Sequence, residues 1–210
     1  MAGTVGPVSG SSVEVDATVG GWSGVVEASV GECVGVMRAG SGADWSSTAG
    51  RLDWDCRETA LHLASDFTAY AGQLMAPRQR GYVPFDIIFA GEPGADGMAE
   101  VVRATGGLLS AAARATGKGV QSWHPYGMAG PADFCAMGAV EAIVHTHDLA
   151  RGLNIEWYAP DWIAARVLQH LFRQEAGPGH SWHSLLVATG RVPADDGIYT
   201  TTWRWYNTGT

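Results

Sequence analysis

Trp54-Asp-Cys-Arg-Glu-Thr-Ala-Leu-His-Leu-Ala-Ser-Asp-Phe-Thr-Ala-Tyr-Ala-Gly-Gln-Leu74 is the stretch from which the fold is read. Leu61, Ala64 and Leu74 give it an apolar stripe at helical spacing. No proline interrupts it before Pro77, and Asp53 or Asp55 can cap its start by accepting a backbone N–H. The spacing predicts a helix over about Asp55 to Met75. His62 stands inside it between two leucines, one turn before Asp66.

The same reading extends outward in both directions. Upstream, Val15, Val19, Trp22, Val26, Val30, Val34 and Met37 recur at roughly helical spacing. They predict a helix over about Val13 to Met37 despite Gly20, Gly21, Gly24, Gly31 and Gly35, each of which costs about 1 kcal/mol in a helix interior. Another element is expected to pack closely against those glycines. Residues 1–12, rich in Gly and Ser, are expected to be disordered. Downstream, a long connection over 76–93 leads to a third helix from about Ala95 to Thr116. A fourth opens at Pro131, where a missing N–H does no harm, and stops at Gly152. Pro160 opens a fifth that is expected to reach Gly177, and a short sixth covers Ser181 to Ala188. The tail, rich in Thr, Trp and Tyr, reads as irregular or as a short strand. The expectation is an all-α protein: a bundle over 13–155, with C-terminal helices and tail over 156–210 packed on it.

The fourth helix carries the chemistry. It reads Glu141-Ala-Ile-Val-His145-Thr-His147-Asp148. At about 100° per residue, His145 lies about 40° from Glu141 and Asp148 about 20° from it on the other side, all on one face. His147 points the opposite way. With His62 from the second helix, two imidazoles and one carboxylate would make a site for zinc or a similar divalent ion, with positions left for water or substrate. Asp66 and Asp148 are the candidates to orient the ligand imidazoles. The plainer readings are a satisfied core histidine at His62 and a simple i,i+4 pair at Glu141 and His145.

Composition narrows the partners. The 210 residues carry a formal net charge of −8, with 46% hydrophobic and 16% charged residues. The basic residues are scattered, which argues against nucleic acid or an anionic membrane as the main partner. No run approaches the ~18 apolar residues of a membrane span, and no secretory leader is evident, so a cytoplasmic location is expected. Cys33, Cys56 and Cys135 read as reduced thiols. Lys118 is the sole lysine beside abundant Arg, Ala and Gly, as in the GC-rich genomes of actinobacteria. A monomer and a homodimer are both compatible with the sequence.

Two of these stretches, together with the tail, carry a resemblance. Trp54 to Asp66, Val140-Glu-Ala-Ile-Val-His-Thr-His-Asp-Leu-Ala-Arg-Gly-Leu153, and the tail's Leu185-Leu-Val-Ala-Thr-Gly-Arg-Val-Pro193 with Trp203-Arg-Trp205 resemble the mycothiol-dependent maleylpyruvate isomerase family of the DinB-like superfamily. The resemblance implies a four-helix bundle with metal ligands at His62, Glu141 and His145. It implies mycothiol as co-substrate of a thiol-assisted isomerase, in which the thiolate adds to an activated double bond. Rotation and elimination would then give a geometric isomer of a small unsaturated metabolite, and retention of the adduct would make the protein a transferase. Trp123 and His124, in the loop before the fourth helix, are candidates to line the substrate cavity. Arg78, Arg80 and Arg204 are candidates to hold a carboxylate, with surface solvation as the plainer role. Two other readings stand beside this one. One is a thiol-independent metal-dependent hydrolase or tailoring enzyme of secondary metabolism. The other is a non-catalytic metal-binding protein.

Overall fold

The structure, a computed structural model, describes residues 19–173, 181–202, 204, 205 and 207. The segment expected to be disordered, the predicted start of the first helix, Gly177 and Trp203 lie outside the described residues. Six helices follow one another: α1 Val19–Ala39, α2 Cys56–Met75, α3 Ala95–Ala115, α4 Pro131–Gly152, α5 Asp161–Leu171 and α6 Ser181–Ala188. Among the described residues there is no strand, only two isolated bridges, Thr48 with Asp55 and Ser122 with Ala129. The all-α expectation is met, and α1 to α4 pack as a bundle.

The bundle is organised around α4, which is buried along nearly its whole length. That follows from its neighbours: α1, α2, α3 and α5 all pack against it, so it has no solvent face to make polar. Only His147 and a few other positions escape full burial. α2 begins at a capping box. Asp55 accepts the Glu58 N–H at 2.7 Å, and the Glu58 side chain accepts the Asp55 N–H at 3.0 Å. This fixes the register of α2 and with it the face on which His62 and Asp66 lie.

Two sequence expectations need correction. Gly24, Gly31 and Gly35 of α1 face solvent, with open space where a Cβ would stand. The buried face of α1 is formed instead by Trp22, Val25, Val26, Ser29, Val30, Cys33, Val34 and Met37. Close helix approach is made by glycines of the partner helices. A Cβ on Gly106 of α3 would meet Val30 at 2.5 Å, and one on Gly138 of α4 would collide with Leu109. The second correction concerns α5, which ends at Leu171, six residues before Gly177. Phe172 leaves the helical backbone and is buried in the core, with its ring 6.4 Å from that of Trp205.

The loop over 40–55 lies against the last turns of α4. A Cβ on Gly152 would come within 2.7 Å of the Thr48 carbonyl, and Gly50, at φ +55, sits 2.8 Å from the Asp148 carboxylate by the same measure. This contact carries Leu52 and Trp54 to the mouth of the site. Among the described residues, no helix is long and apolar enough to cross a membrane.

Candidate metal centre

α2 and α4 run side by side with the sequence-predicted residues facing one another. One ligand atom from each of His62, Glu141 and His145 lies within 4.8 Å of the other two, a group that could hold a metal ion. His145 Nε2 is 3.2 Å from Glu141 Oε2, and His62 Nε2 is 3.9 Å from the same oxygen. The two imidazoles meet edge to face at 4.9 Å. Two imidazole nitrogens and a carboxylate are a donor set suited to zinc and similar divalent ions.

The partners behind the triad are unequal. Asp148 accepts a hydrogen bond from His145 Nδ1 at 3.0 Å. A carboxylate can only accept, so Nδ1 carries the proton and Nε2 is left pointing at Glu141. Asp148 is in turn held by Arg191, whose Nη2 lies at 2.7 Å and whose Nε is 3.3 Å from both carboxylate oxygens. Asp66, by contrast, is 3.2 Å from His62 Nε2, the nitrogen that also faces Glu141. It stands on the ligand side of that imidazole and not behind it. The sequence register places Asp66 next to His62 but does not reveal which nitrogen it meets, because that depends on the rotation of the ring.

Electrostatics follow from this arrangement. Burial pulls the His145 imidazole down, but its hydrogen bonds to Asp148 and Glu141 more than offset this and carry it up to about 9. Burial and the neighbouring His145 push His62 down to about 4. Burial would raise Glu141, yet the His145 hydrogen bond and the charges of His145, His62 and Arg191 hold it below the usual carboxylate range. Burial raises Asp66 well above its ordinary value, and the Glu141 charge adds to that effect. The thiols of Cys33 and Cys135 are pushed up by burial to about 11 and about 12, which leaves no thiolate nucleophile at either position.

A cavity of about 320 Å³ opens onto the triad. Its walls are Leu52, Trp54, Tyr126, Arg191 and Trp205, with His62, Glu141 and His145 among its lining residues. Trp54 packs over His62 at 4.8 Å. The structure does not bring the other sequence candidates to this cavity. His124 is buried one layer back, where its Nδ1 accepts the Tyr126 N–H at 3.1 Å and its ring lies 5.6 Å from that of Trp205. Trp123 packs edge-on against Tyr82. Arg78 donates to the Arg80 carbonyl, Arg80 is exposed, and Arg204 lies over the Tyr126 ring at 5.2 Å. Loop residue Tyr126 takes the place expected for its neighbours Trp123 and His124: the His124 ring is buried, and the half-buried Trp123 ring lies against Tyr82. His147 faces away from the site and packs against Trp182.

Arg191 and Trp205 went unassigned to the site in the sequence reading. The signal available was thin: a Gly-Arg step just after α6 and a Trp in the tail. Gly190, at φ +70, makes that step possible, because a Cβ there would strike the Thr200 carbonyl.

The fold and this cluster define a helical bundle with a two-histidine, one-glutamate group able to hold a divalent metal. The family model of the mycothiol maleylpyruvate isomerase N-terminal domain matches residues 26–150, and the chain belongs to that family. The match takes in His62, Glu141, His145 and Asp148, and ends before Arg191 and Trp205. Neither the curated proteins nor the solved structures yield a match to the chain.

Proposed function

We propose that His62, Glu141 and His145 hold one divalent ion, zinc by preference of the donor set, and that the protein is a thiol-assisted isomerase or S-transferase. Its substrate would be a small unsaturated metabolite, and a thiol of the mycothiol type its co-substrate. The observation that carries this reading is the convergence of the triad on a cavity of about 320 Å³ in a chain of this family. When bound, the ion supplies Lewis acidity and favours the thiolate form of a thiol co-substrate.

The protein's own residues have separate tasks in this scheme. Asp148 holds the His145 ring in the tautomer that presents Nε2, and Arg191 balances the Asp148 charge. Leu52, Trp54, Tyr126 and Trp205 give the cavity apolar and aromatic walls that exclude water around the reacting groups. In this reading residues 13–155 form the bundle, and 156–210 are an extension whose Arg191 and Trp205 complete the site. The same reading makes it a cytoplasmic monomer or homodimer without nucleic-acid or membrane partners. Arg78 and Arg80 have surface roles.

The test is turnover of cis-unsaturated dicarboxylic acids by zinc-loaded protein, with and without mycothiol, followed by chromatography of isomer and adduct. Thiol-dependent product that disappears in His145→Ala supports the proposal. Product formed equally without thiol would replace it with a thiol-independent metal enzyme. A second reading is favoured by one contact, Asp66 on the ligand side of His62. A carboxylate there could close the coordination shell and make the metal structural. In that case Asp66→Asn would weaken metal binding, and no thiol chemistry would be found in either protein.

A further inference from the structure

A second concave site lies at the other end of α4. It has a volume of about 550 Å³ and is lined by Trp22 of α1, Ala132 of α4, and Trp162, Ala165, Arg166, Gln169 and His170 of α5. It shares no lining residue with the cavity at the triad. Ala132 precedes Glu141 and His145 by about 13–20 Å of helix rise. The α5 residues recur at i, i+3, i+4, i+7 and i+8, so one face of that helix builds the wall.

Three features of this site point to a ligand. Arg166 lies over the Trp22 ring at 5.0 Å, and its Nη1 is buried without a hydrogen-bond partner. Among the described residues no carboxylate pairs with it. A guanidinium without an acceptor is costly, so a pocket lined by Arg166 favours a ligand with an anionic group. The second feature is the walls: a half-exposed Trp162 offers indole surface, Trp22 is buried beside Arg166 and His170, and the lining is mostly apolar. The third is His170. Its Nε2 is 2.9 Å from Asp133 Oδ1, and the other oxygen of that buried carboxylate accepts the Gly130 N–H at 2.8 Å. Asp133 therefore accepts from Nε2–H, which fixes the ring. The charged end of a ligand belongs at Arg166, the cation of the lining that has no carboxylate partner among the described residues.

We propose that this pocket binds a planar aromatic carboxylate. Its carboxylate pairs with the Arg166 guanidinium, whose planar fork matches that geometry, and its ring system lies against the indole of Trp162. The volume suits a molecule of one or two fused rings.

2-Naphthoate serves as the probe, with 2-naphthamide as its uncharged analogue. Saturation-transfer NMR and amide shift mapping on the unsubstituted protein are the first readouts, so that no variant has to fold. The expected result is binding of 2-naphthoate, with shift changes concentrated at 162–170 and at Ala132. The amide should bind about tenfold more weakly or worse, as loss of a charged hydrogen bond implies. Arg166→Met should bring the carboxylate down to the affinity of the amide, while His145→Ala leaves it unchanged. Failure of 2-naphthoate to bind, equal affinity for acid and amide, or shift changes centred on the triad would overturn the proposal.

Discussion

Replacing Asp148 by alanine tests how the site is built, because stability and metal affinity should respond to it differently. The Asp148 carboxylate is 1% exposed, and it faces Arg191, itself 8% exposed, at 2.7 Å and His145 Nδ1 at 3.0 Å. Asp148→Ala would strand a buried guanidinium and an imidazole that carries a proton, an effect of about 3–5 kcal/mol. For a chain of this size that is a fall in Tm of about 6–20 °C. The double variant Asp148→Leu with Arg191→Met removes both charges and should return to within about 2 kcal/mol of the parent, since a buried pair replaced by apolar groups is close to neutral. Zinc affinity should not return with it. Without an acceptor at Nδ1 the His145 tautomer is no longer fixed, and both variants should bind about 10–100-fold more weakly. Thermal melts in the presence of chelator report stability free of metal linkage, and competition with a chromophoric chelator reports affinity. A double variant as unstable as Asp148→Ala would refute the stranded-charge argument. Recovery of affinity together with stability would refute the orienting role of Asp148.

Two further outcomes follow from the packing around the site. His124 is buried and held down to about 4, against 6.5 when free, so the unfolded chain takes up a proton as pH falls through 6.5 while the folded chain does not until about 4. Stability should therefore be lost on acidification across that window, by up to about 3 kcal/mol from this group. His124→Asn, which keeps an acceptor for the Tyr126 N–H, should flatten that part of the pH profile in urea titrations, and an unchanged slope would count against it. Gly50→Ala should cost about 1–3 kcal/mol, because φ +55 strains an L residue and the new Cβ meets the Asp148 carboxylate at 2.8 Å. Denaturation midpoints would show this, and a loss below about half a kcal/mol would contradict it.

The helices were legible in the sequence where periodicity and caps agree. The α2 start at Asp55, the Pro131 opening of α4, and the whole of α6 lie where the pattern puts them. The Glu141, His145 and Asp148 face was legible too, because those three positions share a side on any α-helix. What was not legible depends on tertiary contact. Arg191 reaches Asp148 across 43 residues of chain, and no local spacing announces such a pairing. The end of α5 is set by Phe172 entering the core, and a Phe carries no stop signal of its own. The α1 glycines invited an expectation of close approach, but sequence spacing cannot say which face of a helix meets its neighbour. The close contacts belong to Gly106 and Gly138. Trp123 and His124 were chosen as cavity walls for being aromatic and near α4. In the fold His124 is buried, Trp123 lies half-buried against Tyr82, and Tyr126 is the loop ring left at the cavity.

The central claim is that this cluster holds a metal, and the most direct measurement is the metal content of protein purified without an affinity tag or chelator. Inductively coupled plasma mass spectrometry would be run beside His62→Ala and His145→Ala. The account predicts about one equivalent of zinc or a similar divalent ion in the parent, lost in both variants. A parent that carries no metal and takes up none when zinc is added would contradict it.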